Sequence, residues 1–265
     1  MMGPACVLLK KELLDVVRNR SALVPVALVA GISLSVPFTI AIAVPSLTGH
    51  PLGEDADLVA VSQAMEVGLD LGANARVQLF LFQQFLLLLL LVPITGAMAL
   101  AAHAVVGEKQ SRTLEPLLAT PITTTELLAA KVLGAFIPTV LISVVGLAMY
   151  AGLLGALAEP GVVSALMNVR TFALTALIGP AAALVSLQLA LLVSSRVSDP
   201  RTAQQFGVLI VLPLTAVLAA QLTGRWWVSA GVIVFIGVGL LGVWMVLLAL
   251  TVVLFDRESI LTRWR

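Results

Sequence analysis

Six stretches of this chain run past 20 residues without one charged side chain, and nothing else in the sequence limits the fold as much. They are Ser21 to Gly53, Val77 to Gly107, Val132 to Ala158, Thr171 to Ser195, Thr202 to Gly224 and Trp226 to Phe255. A helix needs about 20 apolar residues to cross roughly 30 Å of hydrocarbon. In that medium every backbone amide must find its partner inside the protein, and the alternating pattern of a membrane β-strand is absent here. Six spanning helices are therefore predicted, at about 22–44, 79–105, 132–156, 172–194, 203–223 and 230–254. Hydrophobic residues make up 60% of the chain and charged ones 11%, against about a quarter charged in soluble domains. The expectation is one all-α integral membrane domain over residues 1–265, with almost nothing left for a globular unit.

Lys10 and Lys11 precede the first run, and Ala41-Ile42-Ala43 resembles a cleavage site. The run is nevertheless longer than the 7–15 residues of a signal-peptide core, so an uncleaved first span is expected. The single cysteine, Cys6, excludes an intramolecular disulfide, and no His/Cys cluster suggests a metal. A net charge of +1 gives no reason to expect nucleic acid. With both termini in the cytoplasm, twelve basic residues lie inside and only Arg76, Arg170 and Arg225 outside. That asymmetry sets the expected topology in a cell membrane (inner or plasma).

Before the first span, Leu9, Leu13 and Val16 repeat on one face of Val7–Arg20 while Lys11, Asp15 and Arg18 take the other. This predicts a helix lying in the membrane interface. Leu58, Val61, Met65 and Leu69 recur at helical spacing in the first outer segment, which suggests a short amphipathic helix on the outer face. Its acids, Glu54, Asp55, Asp57, Glu66 and Asp70, suit either a solvated helix start or cation attraction. Ala148, Gly152 and Ala156 would let another helix approach the third span closely, from within the chain or from a second copy.

The longest polar interruption is Gly107 to Lys131. Within it, Thr113 can cap a short helix with Leu114, Leu117 and Leu118 on one face and Glu115 in the first turn, and Thr120-Pro121 ends it. Thr123 and Glu126 then have the spacing of a capping box leading into the third span. Such a hairpin is stiff enough to pass a push to two spans at once.

Glu108, Thr113-Leu114-Glu115, Leu117-Leu118, Thr120-Pro121, Leu127-Leu128 and Lys131 resemble the cytoplasmic signature of ABC-2 type transporter permeases. Lys10-Lys11-Glu12-Leu13 with Arg18, and Phe255-Asp256-Arg257-Glu258, are similar to that family as well; Arg112 stands where many members have glycine. The resemblance implies a six-helix subunit that pairs with a second permease copy and two ATPase subunits, mostly for export. It also implies that Arg112 to Ala119 is a coupling helix seated on the ATPase, with the interfacial helix leaning on the same partner. The coupling residues so implied are Glu108, Arg112, Thr113, Leu114, Glu115, Leu117, Leu118, Pro121 and Lys11, with Asp199 in a smaller second contact. No G-x-x-x-x-G-K-[ST] motif occurs, so this chain is expected to bind no cofactor, ATP and Mg belonging to the partner.

A secondary transporter or channel usually carries ionisable residues within its spans, and here only His103 falls well inside one. An intramembrane enzyme would need a paired nucleophile and base or a metal motif, and Ser143 and Ser186 have no such partner and should bond to their own helices. A passive membrane anchor for an ATPase is the third alternative. Polar handles for a substrate route are few. They are Gln83, Gln84, Gln188 and Gln221, with Gln84, beside Phe80 or Phe82, the chosen candidate, although such amides also glue helices together. Walls rich in Leu, Val and Ala suit amphipathic or hydrophobic cargo.

Overall fold

The computed structural model describes residues 4–63, 67–110, 123–194, 205, 208–223 and 228–254. Every regular element among them is helical. The N-terminal helix runs Pro4–Arg18 and stops at Asn19, whose side-chain oxygen accepts from the Ala22 amide at 3.2 Å and caps the next helix. An amide oxygen suits that place because the leading N–H groups of a helix have no partners of their own. The amphipathic pattern holds: Leu9, Leu13 and Val16 are half-buried, whereas Lys11, Asp15 and Arg18 are exposed. Glu12 breaks it, a carboxylate on the buried side.

Among the described residues, five helices are long and apolar enough to cross a membrane: Arg20–Thr48, Ala73–Ala104, Glu126–Leu157, Val169–Ser194 and Ala230–Val252. They are spans one to four and span six. The fifth apolar helix in chain order, Val208–Leu222, is shorter. At about 1.5 Å per residue it rises roughly 22 Å, and residues 206–207 before it lie outside the described ones. The chain is thus an all-α, multi-pass membrane protein, as its charge-free runs require.

Span two sits at the centre, touching spans one, three, four and five, and span four packs in turn on span six. In the most apolar window of span two 83% of residues are buried, against 11% in span six; span two therefore faces protein and span six faces outward. Since lipid tails are as apolar as leucine, close contact rather than water expulsion must hold these helices together. Phe38, Phe82 and Tyr150 from spans one to three supply such a contact, with ring centroids 5.1, 5.5 and 6.1 Å apart. The Tyr150 hydroxyl donates to the Phe82 carbonyl at 2.8 Å.

Prolines distort three of the spans. Pro37 is followed by a π-turn at Thr39–Ala43, and a second π-turn, Ala173–Ile178, precedes Pro180. Span two breaks at Leu90, three residues before Pro93, because a residue without an N–H cannot continue the ladder. Ser33 of span one donates to the Leu88 carbonyl beside that break at 2.9 Å.

The amphipathic helix expected through Leu69 covers only Ala56–Ser62. Asp55 caps it, accepting from the Asp57 and Leu58 amides at 3.0 and 3.1 Å. Further on, Gly68 adopts φ 76° and Leu69 is exposed. A left-handed residue cannot continue a helix, so Leu69 lies outside it. The small-residue stripe Ala148, Gly152 and Ala156 is exposed, and a Cβ on Gly152 would meet nothing within 4 Å. It makes no close helix contact among the described residues.

Candidate functional site

The polar segment Gly107 to Lys131 joins the end of span two to the start of span three, and the described residues show what fixes its two ends. At the second foot the capping box is present: the Glu126 amide donates to Thr123 Oγ1 at 3.2 Å and the Thr123 amide donates to Glu126 Oε2 at 2.8 Å. One turn further in, Lys131 is fully buried. Its Nζ lies 3.3 Å from Glu12 Oε1 of the N-terminal helix and donates to the Ala104 carbonyl at the end of span two at 2.9 Å. A buried ammonium must be paired and hydrogen-bonded to be tolerated, and here one nitrogen meets both needs across three elements. Gly134 permits the approach, since a Cβ there would stand 2.5 Å from Glu12 Cβ. Lys11 extends the network outward, its Nζ 3.6 Å from both Glu12 and Asp15.

Polar contacts at the other end of the bundle tie spans together. Arg170, expected in an outer loop, is buried in the bundle instead. Its guanidinium donates to Gln83 Oε1 at 3.0 Å and to Gln221 Oε1 at 2.7 Å, joining spans four, two and five. Two converging amide carbonyls make the position tolerable for a cation, and the extra turn Val169–Phe172, capped by Asn168, carries the arginine inward. Nearby, the Glu159 amide donates to Gln78 Oε1 at 2.9 Å, and Asn74 donates to Glu159 Oε1 at 2.9 Å.

Between spans two, three and four lies a cavity of about 240 Å³. Leu89, Leu90 and Pro93 form one wall, Ser143 and Val144 the second, and Pro180 closes it. It sits where the break in span two faces the distorted part of span four. The polar atoms on its walls are spent locally: Ser143 donates to the Thr139 carbonyl and Thr175 to the Thr171 carbonyl, both at 2.8 Å. Such a space accepts an apolar body and offers it no charge.

Among the expected coupling residues, Arg112, Thr113, Leu114, Glu115, Leu117, Leu118, Pro121 and Asp199 lie outside the described residues. Glu108 falls in the last turns of the helix Leu91–Gln110, and Lys11 sits beside the Glu12–Lys131 pair. The expected route residues are all buried: Phe80, Phe82, Gln84, Gln188 and Gln221 expose 2% or less. Of these, the structure brings Gln221 to Arg170, whereas the Gln84 and Gln188 amides have no hydrogen-bond partner among the described residues. None of the five lines the cavity. Ser143 and Ser186 bond to their own helices, as expected from sequence. Glu12 and Lys131 were missed as a pair. The available signal was a glutamate within an apolar stripe and a lysine inside an apolar helix, each needing the other.

Among the described residues, no group of three or more His, Cys, Asp and Glu could hold a metal ion. The family model described as "ABC-2 family transporter protein" matches residues 6–224. No curated protein matches the chain.

Proposed function

Because the chain belongs to the ABC-2 family of transporter proteins, we propose that it is the membrane permease of an ATP-driven exporter of small amphipathic or hydrophobic compounds. The family implies partnership with ABC ATPase subunits. In the arrangement proposed here two permease copies pair with two such ATPases, which hold the ATP and Mg. The N-terminal helix and the hairpin face the cytoplasm, the orientation favoured by the twelve-to-three distribution of basic residues.

The family match over residues 6–224 carries this reading, and one junction supports the coupling. Lys131 links the foot of span three, the end of span two and the N-terminal helix at a single nitrogen. A force applied between Gln110 and Thr123 is therefore delivered to two spans already joined, one of them the centre of the bundle. The apolar cavity beside the span-two break supports an apolar cargo. Ion-driven transport draws less support, because the buried Lys131 and Arg170 are both engaged by structural partners.

The test is reconstitution with the ATPase in liposomes and replacement of Leu117→Asp together with Leu118→Asp. Two carboxylates on the proposed docking face should abolish ATP-dependent uptake of an amphipathic dye or release the ATPase. Unchanged uptake would contradict the coupling role.

A further inference from the structure

We infer that Glu12 and Lys131 are positioning residues of the transport cycle, locking the N-terminal helix to spans two and three so that all three move as one body under the ATPase. The inference rests on the permease reading above and names a second route for force, parallel to the hairpin. Both side chains are almost completely buried, Lys131 at 1% and Glu12 at 5% exposure. An ion pair in such a place is a poor source of stability, since apolar side chains of equal volume serve at least as well. What it supplies instead is register. Carboxylate, ammonium and the Ala104 carbonyl meet only when the three helices stand at one height and one rotation.

A second, independent feature serves the same junction. Gly134, three residues beyond Lys131, removes the one Cβ that would keep Glu12 away. Two positions on span three are thus shaped to the same residue of the N-terminal helix. On the exposed side, Lys11 stands against Glu12 and Asp15, each at 3.6 Å, so the network reaches the surface on the side of the helix open to a partner. A partner that tilts this helix acts on Glu12, through it on Lys131, and so on both feet of the hairpin.

The experiment uses the full chain with its ATPase in nanodiscs, and the double replacement Glu12→Gln with Lys131→Met. The pair is removed together because a lone buried charge would compromise folding. Spin labels at Leu14→Cys and Leu141→Cys, in a Cys6→Ser background, report the separation of the N-terminal helix from span three. In the parent complex that separation should be equal in the nucleotide-free and ATP–vanadate-trapped states. In the double variant the ATPase should still co-purify, but the separation should change with nucleotide, and permease-stimulated ATP turnover should fall by about 5-fold or more, a loss typical of a broken coupling. Should the double variant not fold, Gly134→Ala, which forces Glu12 aside while keeping both charged groups, should show the same nucleotide-dependent separation in weaker form. Parent-like separation and turnover in the variant would overturn the inference and leave the permease reading standing. Failure of the unmodified chain to bind any ABC ATPase would overturn both.

Discussion

Gly134→Ala and Gly146→Ala make the same chemical change in the same helix at two buried positions, and the structure predicts opposite outcomes. Within a helix, alanine is favoured over glycine by about 1 kcal/mol. At Gly146 the new methyl would meet only Leu89 Cδ1 at 3.7 Å, an ordinary contact, so this variant should keep that gain. At Gly134 the methyl would stand 2.5 Å from Glu12 Cβ. That atom is fixed to a helix backbone and cannot swing aside, so the N-terminal helix itself must move. Overpacking of this kind costs about 1–3 kcal/mol, which cancels or outweighs the helical gain. The two variants should therefore differ in stability by about 1–3 kcal/mol, with Gly134→Ala the weaker. The displacement would also lengthen the 3.3 Å contact between Lys131 and Glu12. Thermal unfolding of both variants in one detergent, followed by circular dichroism, gives the comparison, and permease-stimulated ATP turnover gives the functional counterpart. Equal stability, or a more stable Gly134→Ala, would refute the close approach on which the clamp depends.

Thr123→Ala removes the acceptor for the Glu126 amide and opens the capping box; a loss of about 0.5–2 kcal/mol is expected from such a cap. Amide hydrogen exchange should show it as faster exchange confined to the first turn of span three. Gln84→Leu replaces a buried amide that has no hydrogen-bond partner among the described residues. Unfolding in detergent should show stability unchanged or raised, by up to about 1–3 kcal/mol, because an unmet polar group is lost. Dye uptake should change if this position meets cargo during the cycle, and lower stability with lost assembly would mark it as helix glue instead.

Features set by neighbours in sequence were legible without coordinates. The charge-free runs gave the membrane helices, and Thr123 with Glu126, three residues apart, gave a cap that forms as expected. The stripe of Leu9, Leu13 and Val16 gave the N-terminal helix. Illegible were the features set by partners far along the chain. Glu12 and Lys131 are 119 residues apart and Arg170 is 87 from Gln83, and no local pattern records that they meet. Arg170 in particular reads as a loop residue, because a charge at the edge of an apolar run looks solvated until its acceptors are known. The helix expected through Leu69 ends at Ser62, and the left-handed Gly68 that keeps Leu69 out of it is not visible in the apolar spacing. For the candidate site, the resemblance singled out Glu12 and Lys131 separately and not their contact, and the expected coupling residues Arg112 to Pro121 lie outside the described residues.

The two π-turns, Thr39–Ala43 and Ala173–Ile178, leave these spans a degree of slack in chain length. A turn closed by i to i+5 bonds holds one residue more than an α-turn. Deleting a residue from an ordinary helix rotates everything beyond it by about 100° and turns its buried stripe toward lipid. In a π-turn the surplus can be absorbed, the ladder closing to α-geometry while the flanking faces keep their aim. Spans one and four thereby contain places where the protein could shorten or lengthen without losing its internal alignment, and where a rotation of one half-helix against the other demands the least rebuilding.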